Sequence, residues 1–312
     1  MYDVIGDIHG YADELEALLG GLGYEQCNGT YQHPTRTAIF VGDLIDRHPE
    51  GQLRTIDIVR RMVDAGSAKI VLGNHEFNAV AYATEHPSGG YCRSHNEKNL
   101  KQHRAFLDAV EFGSSLHREL LDWFMTIPLW LDLGELRIAH ACWSAPDIAH
   151  LAPLTNTSGG LTEHLVIDGS TKVTPTYEAI ERILKGPEVT MNGYTYLDKG
   201  GIKRSKARAR WWDSTIRTLR DAAHVPGDSD LISPAGELVP FLPDEPLTPG
   251  AVPRYDDDIP VVVGHYWESG DFELLSPTVA CVDYSVAGGG PLVAYRWDTG
   301  DERLNDSRFF GT

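Results

Sequence analysis

Residues 2–10 read YDVIGDIHG, so that a short apolar run ends directly in a Gly-Asp pair. The same order returns in residues 37–47, TAIFVGDLIDR, and in residues 69–76, KIVLGNHE, where Asn stands in place of Asp. Short runs of apolar and β-branched residues are typical of buried strands. The sequence therefore predicts three strands, each ending in a polar loop that begins with glycine.

Helical patterns lie between these runs, as in Leu15, Leu18, Leu19 and Leu22, which follow i, i+3, i+4, i+7 spacing. Alternation of strand and helix predicts an α/β fold. In such folds ligands bind at the carboxyl ends of the strands, so we expect the polar loops to meet in one site. Further short runs that predict strands occur at residues 136–139, 260–263, 278–282 and 292–295.

Composition limits the function classes. The 312 residues are 42% apolar and 23% charged, as in an ordinary folded protein. A formal charge of −18 argues against general nucleic-acid binding, which relies on clustered Lys and Arg. No apolar run reaches the ~20 residues of a membrane span, and residues 1–10 do not resemble a signal peptide. We expect a cytoplasmic protein without membrane association, and the four cysteines lack the spacing of a zinc site or disulfide framework.

The length favours a single domain over residues 1–312. Residues from about 77 to 125 are predicted to form a helical insertion, with Gly89-Gly90 as a break. Residues from about 151 to 258 are predicted to form an irregular insertion, because they include a proline-dense segment that favours extended surface loops.

The polar loops carry residue types suited to metal and phosphate. Asp7 and His9 leave the first strand, Asp43 leaves the second and Asn74 the third, and hard oxygen donors mixed with imidazole suit divalent cations. The guanidinium in Asp46-Arg47 has the fork geometry that binds phosphate. Each loop alone fits an ordinary capped turn or a surface ion pair. Because such polar residues follow all three predicted strands, together they predict one catalytic site at one edge of the sheet.

These segments resemble the GDxHG, GDxxDRG and GNHE motifs of the calcineurin-like metallophosphoesterases, specifically the phosphoprotein phosphatase family. The resemblance implies a two-sheet β-sandwich flanked by helices, with the active site at the strand ends. It also implies two further histidines after strands, which His140 and His265 match. By resemblance, one divalent metal ion is bound by Asp7, His9 and Asp43. A second is bound by Asp43, Asn74, His140 and His265.

The resemblance also implies a mechanism. Asp43 would be a ligand of both metals, and a hydroxide between them would attack phosphorus near neutral pH. Arg47 would bind the phosphate, and His75, oriented by Asp46, would protonate the leaving group. Manganese is the favoured metal, with iron, zinc or nickel as alternatives. A second phosphate-binding arginine is expected from the basic run at residues 203–212, as Arg210 or Arg208, although this run also fits a solvated basic face.

Two departures from the family pattern stand out. His48 occupies the place of the usual glycine after Asp-Arg, where a positive φ would strain it. Tyr284-Ser285 replace the Thr-Gly that follows an aspartate in the closing turn. The remaining nine histidines follow no strand and are expected at the surface; they include His86, His95, His103 and His117.

The motifs leave the substrate open. Asp46-Arg47 and the Glu after His75 favour a phosphomonoesterase of the serine/threonine protein phosphatase type. A symmetrical diadenosine tetraphosphate hydrolase is the alternative within the fold. A non-catalytic phosphate-binding module is the alternative of another class, and it would be expected to lack a ligand, the acid or the phosphate-binding arginine.

Overall fold

The computed structural model describes residues 1–197, 201–225, 229–248 and 250–312. The chain divides into two compact units, one formed by Met1–Lys185 with Ile259–Thr312 and the other by Gly186–Asp258. The strands are β1 (Tyr2–Ile5), β2 (Glu25–Cys27), β3 (Thr30–Gln32), β4 (Thr37–Phe40), β5 (Ala68–Ile70), β6 (Trp130–Asp132), β7 (Arg137–Ala139), β8 (Glu188–Thr190), β9 (Thr195–Leu197), β10 (Lys203–Arg204), β11 (Lys206–Ala209), β12 (Ala223–His224), β13 (Leu231–Ile232), β14 (Leu238–Val239), β15 (Val261–Val263), β16 (Val279–Cys281), β17 (Val293–Trp297) and β18 (Phe309–Gly311).

The α-helices are α1 (Ala12–Leu22), α2 (Gln52–Asp64), α3 (Asn74–Ala83), α4 (Glu97–Val110), α5 (Ser115–Thr126), α6 (Ala145–Leu151), α7 (Glu163–Ser170), α8 (Pro175–Lys185) and α9 (Leu219–Ala222). Short 3-10 turns occur at Ala152–Leu154, Val286–Gly288 and Asp306–Arg308. Within the described ranges, no helix combines the length and apolar character that a membrane span requires.

The larger sheet of the first unit has the strand order β18-β17-β1-β4-β5. Strands β1, β4 and β5 run parallel, and their last residues are level, since Ile5 lies opposite Phe40 and Phe40 opposite Ile70. The loops that leave these three strands therefore begin at the same edge of the sheet.

A second sheet, with the order β16-β15-β7-β6, packs face to face with the first. Val4 and Ile39 from the first sheet meet Ile138, Val262 and Ala280 from the second in one buried cluster. Alternate residues of β1 and β4 point to the opposite face, as strand geometry requires. The predicted α/β class with a two-sheet sandwich and flanking helices is confirmed.

Helices cover the other face of the larger sheet. Ile5 and Phe40 pack there with residues of α1, and all four leucines of the predicted apolar stripe in α1 are buried. Burial of each such side chain stabilises the fold by roughly 1.5–3 kcal/mol. Helix α1 ends at Gly23, whose φ of 92° is the left-handed conformation that closes helices.

The segments predicted as insertions differ in character. Residues 77–125 hold most of α3, all of α4 and all but the last residue of α5. The segment from 151, predicted as irregular, contains α7 and α8 before the second unit begins, so that part of the prediction was wrong. Ile180 and Ile183 belong to the buried face of α8. In its described residues, the second unit holds two small sheets and α9, with Trp211 buried.

Candidate metal centre and phosphate site

Five loops of the first unit supply the predicted metal ligands. Asp7, Asp43 and Asn74 follow the level strands β1, β4 and β5, and Asn74 is the first residue of α3. His140 follows β7 directly, and His265 follows β15 after one glycine. All of these side chains are buried except that of His265, which is half-buried.

The backbone of these loops is unusual. Among the described residues, His9, Asp43, Asp46, Arg47 and His265 all have positive φ, between 50° and 73°. Such conformations cost about 1–3 kcal/mol each in a residue other than glycine, and they cluster at functional sites. The strain expected at His48 therefore falls on the two residues before it.

One group of possible ligand atoms comprises His9, Asp43 and His75, which lie within 4.8 Å of one another. The Nε2 atoms of His9 and His75 are 3.8 and 3.9 Å from Asp43 Oδ2. His9 Nδ1 donates to the carbonyl of Ile45 at 2.9 Å, which leaves the Nε2 lone pair facing the carboxylate.

A second group comprises Asp43, His140 and His265, again within 4.8 Å. His140 Nε2 is 3.5 Å from Asp43 Oδ1 and 3.2 Å from Asn74 Oδ1. His140 Nδ1 donates to the carbonyl of Val41 at 2.7 Å, so its Nε2 also presents a lone pair. Asp43 belongs to both groups, as a shared ligand would.

Asp7 presents one carboxylate oxygen to which no described residue donates a hydrogen bond. Its Oδ2 accepts from the backbone N–H of His265 at 3.2 Å, whereas its Oδ1 is buried and has no partner among the described residues. A Cβ at Gly264 would lie 2.1 Å from that oxygen, so only glycine permits this approach. Burial and the charges of Asp283 and Asp43 raise the pKa of Asp7 well above its usual value.

The charges of the site fit divalent cations. The buried carboxylates Asp7, Asp43, Glu76 and Asp283 form no ion pair with Lys or Arg within the part of the chain that the structure describes. Burial opposes ionisation of Asp43, but the charges of His140 and His75 hold its pKa well below the usual range. Buried anions require compensation, and carboxylate, amide and imidazole donors together suit divalent metal ions.

A buried pair lies beside this centre. His75 Nδ1 and Asp46 Oδ2, the two residues predicted to form a dyad, are 2.5 Å apart. The other oxygen of Asp46 accepts from His103 Nδ1 at 3.1 Å. Burial raises the pKa of Asp46, but hydrogen bonds from His103 and His75 outweigh burial and lower this pKa below its usual value. For His75 the signs are reversed: burial lowers its pKa, but Asp43 and Asp46 outweigh burial and raise this pKa overall.

The surface location expected for His103 and His117 was wrong, since both side chains are buried. His103 lies on α4, and Phe106 packs beside it at a ring distance of 5.2 Å. The sequence showed helical spacing in this region, but nothing in it placed this face of α4 against Asp46.

Arg47 is exposed, and no described residue forms a hydrogen bond or ion pair with its guanidinium. Burial lowers the pKa of His9 to about 4, and the charges of His75 and Arg47 act in the same direction. The guanidinium thus lies near the metal-binding groups and remains available to an anion.

Arg208 and Arg210 belong to the second unit. Arg208 pairs with Glu188 at 2.8 Å, and Arg210 is exposed. Trp211 and Trp212 of the same run are buried. Phosphate binding by either arginine stays a prediction of the sequence.

A family model described as calcineurin-like phosphoesterase matches residues 2–266. The chain belongs to this family. It is therefore a metal-dependent phosphoester hydrolase, and the resemblance that the three motifs indicated is confirmed.

Two curated relatives of this phosphoesterase are named as bis(5'-nucleosyl)-tetraphosphatases. The asymmetrical bis(5'-nucleosyl)-tetraphosphatase PrpE of Oceanobacillus iheyensis is 47% identical over 149 residues, which cover 45% of this chain and 55% of that protein. A symmetrical bis(5'-nucleosyl)-tetraphosphatase of Vibrio cholerae serotype O1 is 33% identical over 138 residues, covering 44% of this chain and 43% of the relative. The matches span about half the length of each relative.

One solved structure shows the same fold. A cold-active protein tyrosine phosphatase aligns with 95% of this phosphoesterase and 73% of its own chain, with a TM-score of 0.52 and 14% identity. At that identity the likeness concerns the fold alone.

Two buried carboxylates of the phosphoesterase, Glu76 and Asp283, accept hydrogen bonds from the backbone of the loops that carry the predicted metal ligands. Glu76 accepts backbone N–H groups of Asp43 at 2.9 Å, Leu44 at 2.8 Å and Gly73 at 3.2 Å, and so ties the second loop to the third. Burial raises the pKa of Glu76 to about 7, and the Asp43 charge adds to the effect. The sequence singled out this residue only as a mark of the subfamily.

Asp283 has the corresponding role at the last loop. It accepts from the backbone N–H groups of Trp267 at 3.0 Å and Ser285 at 2.9 Å, and so fixes the chain just after His265. Burial raises the pKa of Asp283 to about 6. Ser285 has a φ of 60°, so the glycine position of the family pattern keeps its left-handed conformation with serine.

Proposed function

We propose that this phosphoesterase hydrolyses phosphate monoesters, in the manner of a serine/threonine protein phosphatase. The observation that carries the proposal is the contact of 2.5 Å between His75 and Asp46, beside the group formed by His9 and Asp43. An alkoxide or phenoxide leaving group needs a proton, and a buried histidine held by a carboxylate is suited to supply it.

We assign Asp7, His9 and Asp43 to one divalent cation, and Asp43, Asn74, His140 and His265 to a second, with manganese favoured. When bound, such a pair lowers the pKa of coordinated water and so supplies a nucleophile near neutral pH. The unpartnered Oδ1 of Asp7 and the free Nε2 lone pairs of His9 and His140 support this assignment.

His75 and Asp46 have different roles in the proposed reaction: Asp46 orients the ring of His75, and His75 supplies the proton. Asp46 accepts from Nδ1 of His75, which fixes the ring and leaves Nε2 directed toward Asp43 and the metal site. A proton on Nε2 would then lie next to the leaving oxygen of a bound monoester. His103 holds the second oxygen of Asp46, so the carboxylate cannot rotate away from His75. The free guanidinium of Arg47 would bind the phosphate oxygens in its fork.

Hydrolysis of bis(5'-nucleosyl) tetraphosphates is the second candidate. The names of the curated relatives favour it, at identities of 33% to 47% over less than half of this chain. The binding-module alternative is disfavoured, because the metal-ligand residues, Asp46, Arg47 and His75 are all present. We also retain a cytoplasmic location and a phosphorylated partner without nucleic-acid binding as proposals from the sequence.

A substrate panel tests the proposal. Metal-stripped protein is reconstituted with Mn²⁺ and given p-nitrophenyl phosphate, a phosphoserine peptide, ATP and diadenosine tetraphosphate. We expect inorganic phosphate from the aryl phosphate and from the peptide. Absence of turnover with Mn²⁺, Ni²⁺, Fe²⁺ and Zn²⁺ would overturn the proposal. A kcat/KM for diadenosine tetraphosphate above that for the peptide would support the second candidate instead.

A further inference from the structure

Arg93 is a partly buried cation that forms no ion pair with any of the described residues. Its Nη1 donates to Asn78 Oδ1 at 2.8 Å and its Nη2 to Gln102 Oε1 at 2.9 Å, and both acceptors are neutral amides. Among the described residues, no carboxylate lies within ion-pair distance of it. Guanidinium groups in such surroundings normally pair with an acid, because a buried charge is costly when it is not compensated.

The two amides place the guanidinium next to the dyad. Asn78 is four residues after Asn74 and three after His75 on α3, so it lies on their face of the helix, about one turn along. Gln102 precedes His103 on α4, and His103 contacts Asp46. Arg93 therefore lies between α3 and α4, on the side of the site where His75 and Asp46 meet.

Arg93 has donor capacity left over. A guanidinium has five N–H groups, and two of them account for the contacts with Asn78 and Gln102. Its Nε is buried and has no partner within the described ranges. Burial lowers the pKa of Arg93. The negative charges of Asp46 and Glu181 oppose this shift, although neither carboxylate forms an ion pair with the guanidinium.

The position of Arg93 beside His75 and Asp46 indicates which part of a substrate it would bind. His75 is the proposed acid for the leaving oxygen, so groups around the dyad border the leaving group rather than the transferred phosphate. We propose that Arg93 binds a second phosphate of the substrate, on the leaving-group side of the scissile bond. This inference rests on the role proposed for His75, and it bears on the second candidate function, because it names condensed phosphates, in which the leaving group is itself a phosphate, as the substrates that Arg93 would bind.

The kinetic test compares two substrates at a fixed concentration of free Mn²⁺. Arg93→Met removes the charge and keeps an unbranched side chain, whereas Arg93→Lys keeps the charge and loses the fork. We expect Arg93→Met to lower kcat/KM for inorganic tripolyphosphate at least about tenfold more than for p-nitrophenyl phosphate, with partial recovery in Arg93→Lys. Arg118→Met is the matched control, because Arg118 is exposed on α5 and its loss changes net charge equally. Equal losses on both substrates, or no loss on either, would contradict the inference.

A binding measurement separates this inference from the proposed function. Mn²⁺-loaded His75→Asn protein is titrated with tripolyphosphate by calorimetry, alone and combined with Arg93→Met. We expect the dissociation constant to rise at least about tenfold in the double variant, whether or not the protein proves to be a monoesterase. An unchanged dissociation constant in a folded double variant would show that Arg93 only connects α3 with α4.

Discussion

Replacing Asp43 by asparagine is expected to abolish metal-dependent hydrolysis and to release bound metal from both groups. Asp43 is the carboxylate that both groups share, and its oxygens lie 3.5 Å from His140 Nε2 and 3.8 Å from His9 Nε2. Loss of its charge removes the shared anion, so we expect the rate to fall at least about a thousandfold, which corresponds to about 4 kcal/mol. The measurements are metal content per chain after gel filtration and the rate with p-nitrophenyl phosphate.

Asp122→Asn is the matched control for this variant, because Asp122 is exposed on α5 and loses the same charge. Thermal unfolding of both variants shows whether the loss of the contact between His75 N–H and Asp43 Oδ1, at 2.9 Å, disturbs the fold. A folded Asp43→Asn protein that kept its metal and its rate would exclude Asp43 as the shared ligand.

Replacing His75 by asparagine is expected to lower kcat by about a hundredfold to ten thousandfold while metal content stays unchanged. The reason is that His75 is held by Asp46 at 2.5 Å, and it is proposed as the acid rather than as a ligand. The loss is expected to be smaller for p-nitrophenyl phosphate than for an alkyl phosphate such as phosphoserine, because nitrophenolate leaves readily without a proton. The measurement is kcat for both substrates in parallel with metal analysis.

His164→Asn is the control for this experiment, since His164 is exposed on α7. Loss of metal together with activity would instead make His75 a ligand, which its position in the group with His9 and Asp43 permits. Unchanged affinity for a phosphopeptide with no activity in either form would favour a binding module.

The motif loops were predictable because their positions depend on short stretches of chain. Asp7, Asp43 and Asn74 each follow a strand almost directly, and parallel strands bring such residues to one edge of a sheet. His140 and His265 follow strands of the second sheet in the same way, so the family pattern identified them from sequence. The sandwich itself also followed from that resemblance.

The support of these loops was not predictable, because it depends on distant packing. His103 donates to Asp46, which lies 57 residues earlier in the chain. This contact depends on how α4 packs, which the sequence of the predicted helical insertion does not reveal. Arg93 depends on α3 and α4 together for its two amide partners. Helix α8 was missed because the prolines further along suggested irregular structure for the whole of residues 151–258, whereas those beyond 240 lie in the second unit.

The most direct test of a dinuclear centre is a titration of the metal-stripped protein with Mn²⁺, followed by the rate of p-nitrophenyl phosphate hydrolysis. With Asp43 shared between two donor groups, the stripped protein should be inactive, and the rate should rise to a plateau at two equivalents of Mn²⁺ per chain. Full activity in the stripped protein, or a plateau at one equivalent, would contradict the shared site.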